Sequence, residues 1–145
     1  MTRTRSYRFV LAGSALWCLT IIGAPLFSAQ PIYELFSRIC HQIPERSWHL
    51  FGAQLPVCIR CTAIYAGFLF GTLMIRRPNL IFLKLAATTT LVQFLIEIAV
   101  VDYSWPRAVT GLALGFAVAP FVVQGFGEML EKRLTRSSEV VRESM

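Results

Sequence analysis

The chain has 145 residues, of which 55% are hydrophobic, a formal net charge of +6 and a mean hydropathy of +0.58. Soluble domains are about 45–50% apolar, and here the excess is gathered into long blocks that leave no room for a separate soluble domain. The positive charge sits in short runs between those blocks, with no basic groove interleaved with aromatics, so the expected partner is a lipid bilayer and not nucleic acid.

Four blocks, 9–27, 56–75, 80–101 and 108–126, approach or exceed the roughly 18 residues that a membrane-spanning helix needs. They predict an all-α, integral-membrane four-helix bundle forming one domain over 1–145, with an external loop at 28–55 and a tail at 127–145. Ten of the basic residues (Arg3, Arg5, Arg8, Arg76, Arg77, Lys84, Lys132, Arg133, Arg136 and Arg142) fall on one side of this arrangement, against four (Arg38, Arg46, Arg60 and Arg107) on the other. That bias sets both termini in the cytoplasm and predicts a multi-pass protein of the cell inner (cytoplasmic) membrane. The tail mixes both signs of charge and reads as a solvated helix or frayed end.

The first block has a basic start and ends in Phe27-Ser28-Ala29-Gln30, like a secretory signal. Its apolar run exceeds the roughly 7–15 residues of a signal core and the cleavage site is poor, so it is read as a helix. Cys18, in its middle, is read as a small packing residue.

In the following segment Ile32, Leu35, Phe36 and Ile39 recur at helical spacing, with Glu34 and Arg38 off the stripe. The pattern predicts a short interfacial helix over 31–41, with Pro31 in its first turn; an irregular loop is the alternative. Trp48 and Phe51 read as anchors at the membrane surface.

The second block opens at Pro56, read as a first-turn proline. Cys58 and Cys61 lie three apart on one face, at a helix N-terminus that favours the thiolate. Gly67 and Gly71, like Gly111 and Gly115 in the fourth block, form small-xxx-small pairs. Packing within the bundle accounts for both pairs, and association into an oligomer would use the same surface. Pro120 is expected to kink the fourth helix. In the third block Thr89, Gln93 and Glu97 form a polar stripe that should face the bundle interior. Glu97 lies about a turn before Asp102, near the level of the cysteines, with Arg107 its expected partner; snorkelling to the outer surface is the alternative.

Three of the four cysteines and both histidines fall within Cys40–Thr62. Cys58 and Cys61, with Cys40 and either His41 or His49, make a Cys₃His metal set. Zn²⁺ suits such ligands best, with another transition metal as the alternative. Adjacent Cys40 and His41 cannot easily share one ion, which keeps His49 in contention. Gln42, Arg46, Arg60, Glu97 and Arg107 would line the adjoining polar mouth. If the protein is an enzyme, the natural chemistry is metal-activated water or a polarised head group on a lipid or isoprenoid substrate. Glu97, Arg60 and Arg107 are then the candidate catalytic residues, with Glu97 or the spare histidine as acid–base. A second reading is a quinone-linked thiol–disulfide oxidoreductase using Cys58 and Cys61, weakened by the lack of a second external pair. A third is a structural metal or disulfide staple in a non-enzymatic membrane protein.

The run Cys40-His41-Gln42, then Arg46-Ser47, then Leu55-Pro56-Val57-Cys58-Ile59-Arg60-Cys61-Thr62 through Gly67 resembles the signature of a family of small bacterial and archaeal membrane proteins defined as a domain of unknown function. Arg107 to Gly111, with Gly115, is similar to its last-helix motif. The resemblance implies a multi-pass membrane protein with a clustered Cys/His site, and no activity.

Overall fold

The computed structural model describes residues 2–27, 30–74, 77–99 and 104–143. Ser28 and Ala29, Arg76 and Asp102, named above in the cleavage-site, charge and span arguments, lie outside the described residues.

The described residues form five α-helices: α1 (Thr2–Gly23), α2 (Gln30–Ser37), α3 (Ile59–Leu73), α4 (Leu80–Ala99) and α5 (Ser104–Glu143). Between α2 and α3 lie a 3₁₀ turn at Pro44–Arg46 and a two-stranded hairpin, β1 (His49–Leu50) with β2 (Ala53–Gln54). Among the described residues, three helices contain stretches long and apolar enough to cross a membrane: Ser6–Gly23, Leu80–Ile98 and Ser104–Arg133. The second predicted block yields instead the shorter apolar helix α3, of 15 residues, about 22 Å long against a hydrocarbon core of about 30 Å.

α3 starts later than Pro56 because the preceding residues belong to the loop. The Pro56 carbonyl accepts a hydrogen bond from Gln42 Nε2 at 2.9 Å, and the Cys58 amide donates to Cys40 Sγ at 3.2 Å. Cys58 is thus an extended N-cap residue. The interfacial helix also ends earlier than 41, with the amides of Ile39 and Cys40 turning back onto the Phe36 carbonyl.

α5 packs against α3, α4 and α1, and α1 also packs on α3. The α3–α5 seam is closed by the two glycine pairs. A Cβ on Gly67 would stand 2.1 Å from the Leu112 carbonyl oxygen, and one on Gly115 would stand 2.0 Å from that of Ile64. Gly111 faces the Arg60 carbonyl and Gly71 the Phe116 carbonyl in the same way. Both small-xxx-small pairs therefore face each other within one chain. Within each row of contacts the partner numbers rise together, Arg60 with Gly111 then Ile64 with Gly115, and Gly67 with Leu112 then Gly71 with Phe116, so α3 and α5 run parallel. α5 continues through Pro120 and extends far past the expected boundary at 126, as a 40-residue helix. Pro120 cannot donate to the Phe116 carbonyl, which lies against Gly71 instead.

At the other side of the seam, α4 meets α5 in antiparallel order. Thr90 Oγ1 donates to the Thr110 carbonyl at 3.3 Å, and Glu97 meets Arg107. The polar stripe of α4 differs from expectation at one position. Thr89 is exposed and its hydroxyl turns back onto the Leu85 carbonyl. Steps of four residues drift about 40° each on a helix, so two steps carry Thr89 about 80° off the Glu97 face, whereas Thr90, seven before Glu97, returns to within about 20°.

The loop folds back over one end of these helices. Phe36 is fully buried in a cluster with Ile21, Cys40, Leu55 and Val57, against which Tyr65 packs. Trp17 of α1 sets its ring edge against Phe36 at 5.0 Å and against Tyr65 at 5.9 Å. The hairpin turns at Phe51 and Gly52, both at positive φ (54° and 79°), as a type I′ turn requires.

Candidate metal centre and its polar cavity

The centre is built where the end of α2 meets the start of α3. Cys40 leaves α2 immediately after its last turn and is buried, Cys58 caps α3, and Cys61 lies one turn in. Their three sulfur atoms lie within 4.8 Å of one another, and the group could hold a metal ion. The Cys61 thiol, donating to Cys58, lowers the Cys58 pKa below the ordinary thiol range; burial opposes the shift, while the Cys40 thiol and the amides of Cys61 and Arg60 reinforce it. A thiolate is therefore favoured at the N-cap, where helix amides already favour negative charge.

Gln42 holds the loop in this shape. It adopts positive φ (50°), and its Nε2 donates to the carbonyls of Tyr33 at 2.7 Å and Pro56 at 2.9 Å. Its own carbonyl accepts from Gln54 Nε2 at 2.6 Å. One side chain so ties α2 to the segment entering α3. Gln54 and Tyr33 were missed by sequence reasoning, since a lone glutamine and a lone tyrosine in a loop carry no spacing signal.

Beside the thiols lies a cavity of about 350 Å³. Cys40, Cys58 and Cys61 form one wall, and Gln42, Arg46, Arg60, Glu97 and Arg107 all reach it. Glu97 sits between two arginines: Arg60 Nη2 meets its Oε2 at 2.7 Å and Arg107 Nε meets its Oε1 at 2.7 Å. Arg60 Nη2 also donates to Gln93 Oε1 at 3.0 Å, and its guanidinium lies 5.4 Å from the Phe94 ring centroid. Thr110 Oγ1 closes on the same Gln93 oxygen at 3.3 Å. Glu97 thus faces inward, bridging α3, α4 and α5.

The histidines are placed differently from each other. His41 is exposed and lines the cavity. His49 is exposed on β1, paired with Gln54. Among the described residues, the group with metal-ligand spacing comprises the three cysteines. Cys18 stands apart in mid-α1, its sulfur 3.6 Å from the Tyr65 carbonyl oxygen. All four thiols are free.

Residues 40–139 match the family described as "Predicted membrane protein (DUF2085)". An uncharacterized protein of Methanocaldococcus jannaschii is 29% identical over 150 aligned residues, covering 88% of this chain and 96% of the relative. An uncharacterized protein of Methanothermobacter thermautotrophicus is 40% identical over 107, covering 74% of this chain and 73% of the relative. No solved structure matches.

Proposed function

The chain belongs to this family of predicted membrane proteins, and we propose that it is a four-span protein of the cytoplasmic membrane with an extracytoplasmic zinc centre held by Cys40, Cys58 and Cys61. The observation that carries this reading is the convergence of three sulfurs within 4.8 Å at the mouth of a polar cavity. Zinc–sulfur bonds of about 2.3 Å imply sulfur–sulfur edges of about 3.8 Å in a tetrahedral site, so a small contraction suffices. His41, which shares the cavity, is favoured over His49 for the fourth position or for proton transfer beside it. Zinc there would supply Lewis acidity or an activated water for chemistry on a membrane-surface substrate. Arg60 and Arg107 would hold negative charge on that substrate, with Glu97 fixing both guanidinium groups.

Elemental analysis of the detergent-purified protein, with thiols counted on the same sample after denaturation, tests this. About one equivalent of zinc per chain with all four cysteines reduced is the expected result. Metal-free protein carrying a Cys58–Cys61 disulfide would overturn it in favour of the dithiol reading, in which the two thiols pass two electrons and two protons to a quinone.

A further inference from the structure

We infer that a second cavity, at the end of α3 away from the thiols, seats one anionic phospholipid per chain, its phosphate held by Arg77 and Asn79 and the start of an acyl chain lying on Phe82, Phe116 and Pro120. The seat is independent of the metal centre and of the direction in which the chain crosses the membrane.

The last turn of α3, the approach to α4 and the middle of α5 enclose a space of about 370 Å³. Its walls are apolar. The Phe82 and Phe116 rings meet edge to face with centroids 6.2 Å apart, and Ala117 and Pro120 extend the same lining. Phe82 remains 40% exposed, and one turn along α4 Leu85 is 61% exposed, so the apolar surface runs out of the cavity onto the helix face. A soluble anion gains nothing from such a lining, whereas an acyl chain would cover it. Cavities that enclose a small ligand span about 300–1,000 Å³, so this one takes the start of one chain and leaves the rest in the bilayer.

The polar side of the cavity is Arg77 with Asn79. Both precede the apolar stretch Leu80–Ile98, at the level of head groups for a helix that crosses the bilayer. Among the described residues Arg77 has neither a hydrogen bond nor an ion pair, and those that line the cavity include no carboxylate. Asn79 uses Oδ1 to cap α4, accepting from the amides of Ile81 at 3.0 Å and Phe82 at 3.2 Å, which leaves its Nδ2 as a donor. A guanidinium and an amide donor at one rim match phosphate oxygens in charge and geometry, and basic pockets between membrane helices bind lipid head groups in this way.

Native mass spectrometry of the full chain in neutral detergent tests the inference by titration with phosphatidylglycerol, with phosphatidylcholine of the same acyl chains, and with glycerol phosphate. The expected result is one phosphatidylglycerol retained per chain, with phosphatidylcholine and glycerol phosphate at least about tenfold weaker, the worth of one charge-assisted hydrogen bond. Arg77→Gln, at an exposed position, should melt with the parent protein and weaken phosphatidylglycerol about tenfold. Arg133→Gln, which removes an exposed charge from the far part of α5, should leave the lipid as it was. Equal retention of the two lipids, or an Arg77→Gln variant with unaltered affinity, overturns the head-group assignment. A loss in Arg133→Gln as large as that in Arg77→Gln reduces the site to diffuse surface charge and overturns it as well. Glycerol phosphate binding as tightly as phosphatidylglycerol overturns the acyl seat.

Discussion

At the residue scale, the thiols and the Glu97 ion triad make different demands on substitution. Cys40, Cys58 and Cys61 each contribute one sulfur to the same small volume. Replacing any one by serine is expected to lower zinc affinity by more than about 100-fold, since even losing an outer-shell partner costs about 10–100-fold. Cys18→Ala, acting at the Tyr65 carbonyl in mid-α1, should leave metal content unchanged, and metal analysis of the four variants reads this directly. Glu97 holds two arginines at 2.7 Å each in a setting where its side chain is 10% exposed. Glu97→Gln keeps the shape and removes the charge that both guanidinium groups face. Breaking such a buried pair costs about 3–5 kcal/mol, and the 20% exposure of Arg60 places the loss at the lower end. A thermal melt in detergent that matches the parent protein would show that Glu97 is not the clasp of the three helices. Gln42→Ala tests the loop in the same way. It strips a donor from two carbonyls, so a destabilisation of about 2 kcal/mol is expected, together with weaker zinc binding because Cys40 and Cys58 lose their fixed separation.

At the element scale, the helices pack by close approach and not by bulk. The Gly115 position stands against the Ile64 backbone, so Gly115→Ala must force α3 and α5 apart, at a cost of about 3 kcal/mol or more. Gly125, on the same helix, has open space where a methyl group would stand, with no neighbour within 4 Å, and Gly125→Ala should instead stabilise by about 0.5–1 kcal/mol through helix propensity. Opposite signs in paired melting curves check the seam; two neutral variants would argue against it. These elements were unequally legible in the sequence. The glycine pairs, the inward-facing Gln93 and Glu97, and the Cys-x-x-Cys at a helix start follow from spacing alone. Thr90, Gln54 and the late start of α3 do not. Thr90 is hidden by a four-residue period that drifts off its face, and Pro56 mimics a first-turn proline until the carbonyl it presents to Gln42 is seen. The histidines show the same limit: sequence proximity grouped both with the cysteines, and only the hairpin's direction separates His49 from the cavity that His41 lines.

At the scale of the whole molecule, helix directions decide which ends share a side. α3 and α5 run parallel, and α4 runs against α5, so the start of α3, the end of α4 and the start of α5 meet around the cavity. Gly127 of α5 lies 3.9 Å from Ser6 Oγ, measured from an added Cβ, which sets the start of α1 beside the far part of α5 and away from the thiols. The chain start and the basic extension of α5, with Lys132, Arg133 and Arg136, are therefore at one end, and the three thiols are at the other. Cytoplasmic loops hold the excess of Lys and Arg, and on that ground the orientation proposed above sets the thiol end outside. The loop packs on this end of the helices, with Leu55 and Val57 buried against Cys40 and Phe36. Trp48 and Phe51 on that loop are 44% and 73% exposed, as residues resting in the head-group region would be. A membrane-impermeant thiol reagent, applied to intact cells after chelation of metal, should modify the cluster cysteines and leave Cys18 untouched. Protection that disappears only on permeabilisation would reverse the orientation and place the cavity in the cytoplasm, where thiols stay reduced. The metal centre could survive that reversal; the quinone-linked alternative, which needs an oxidising side for its disulfide, could not.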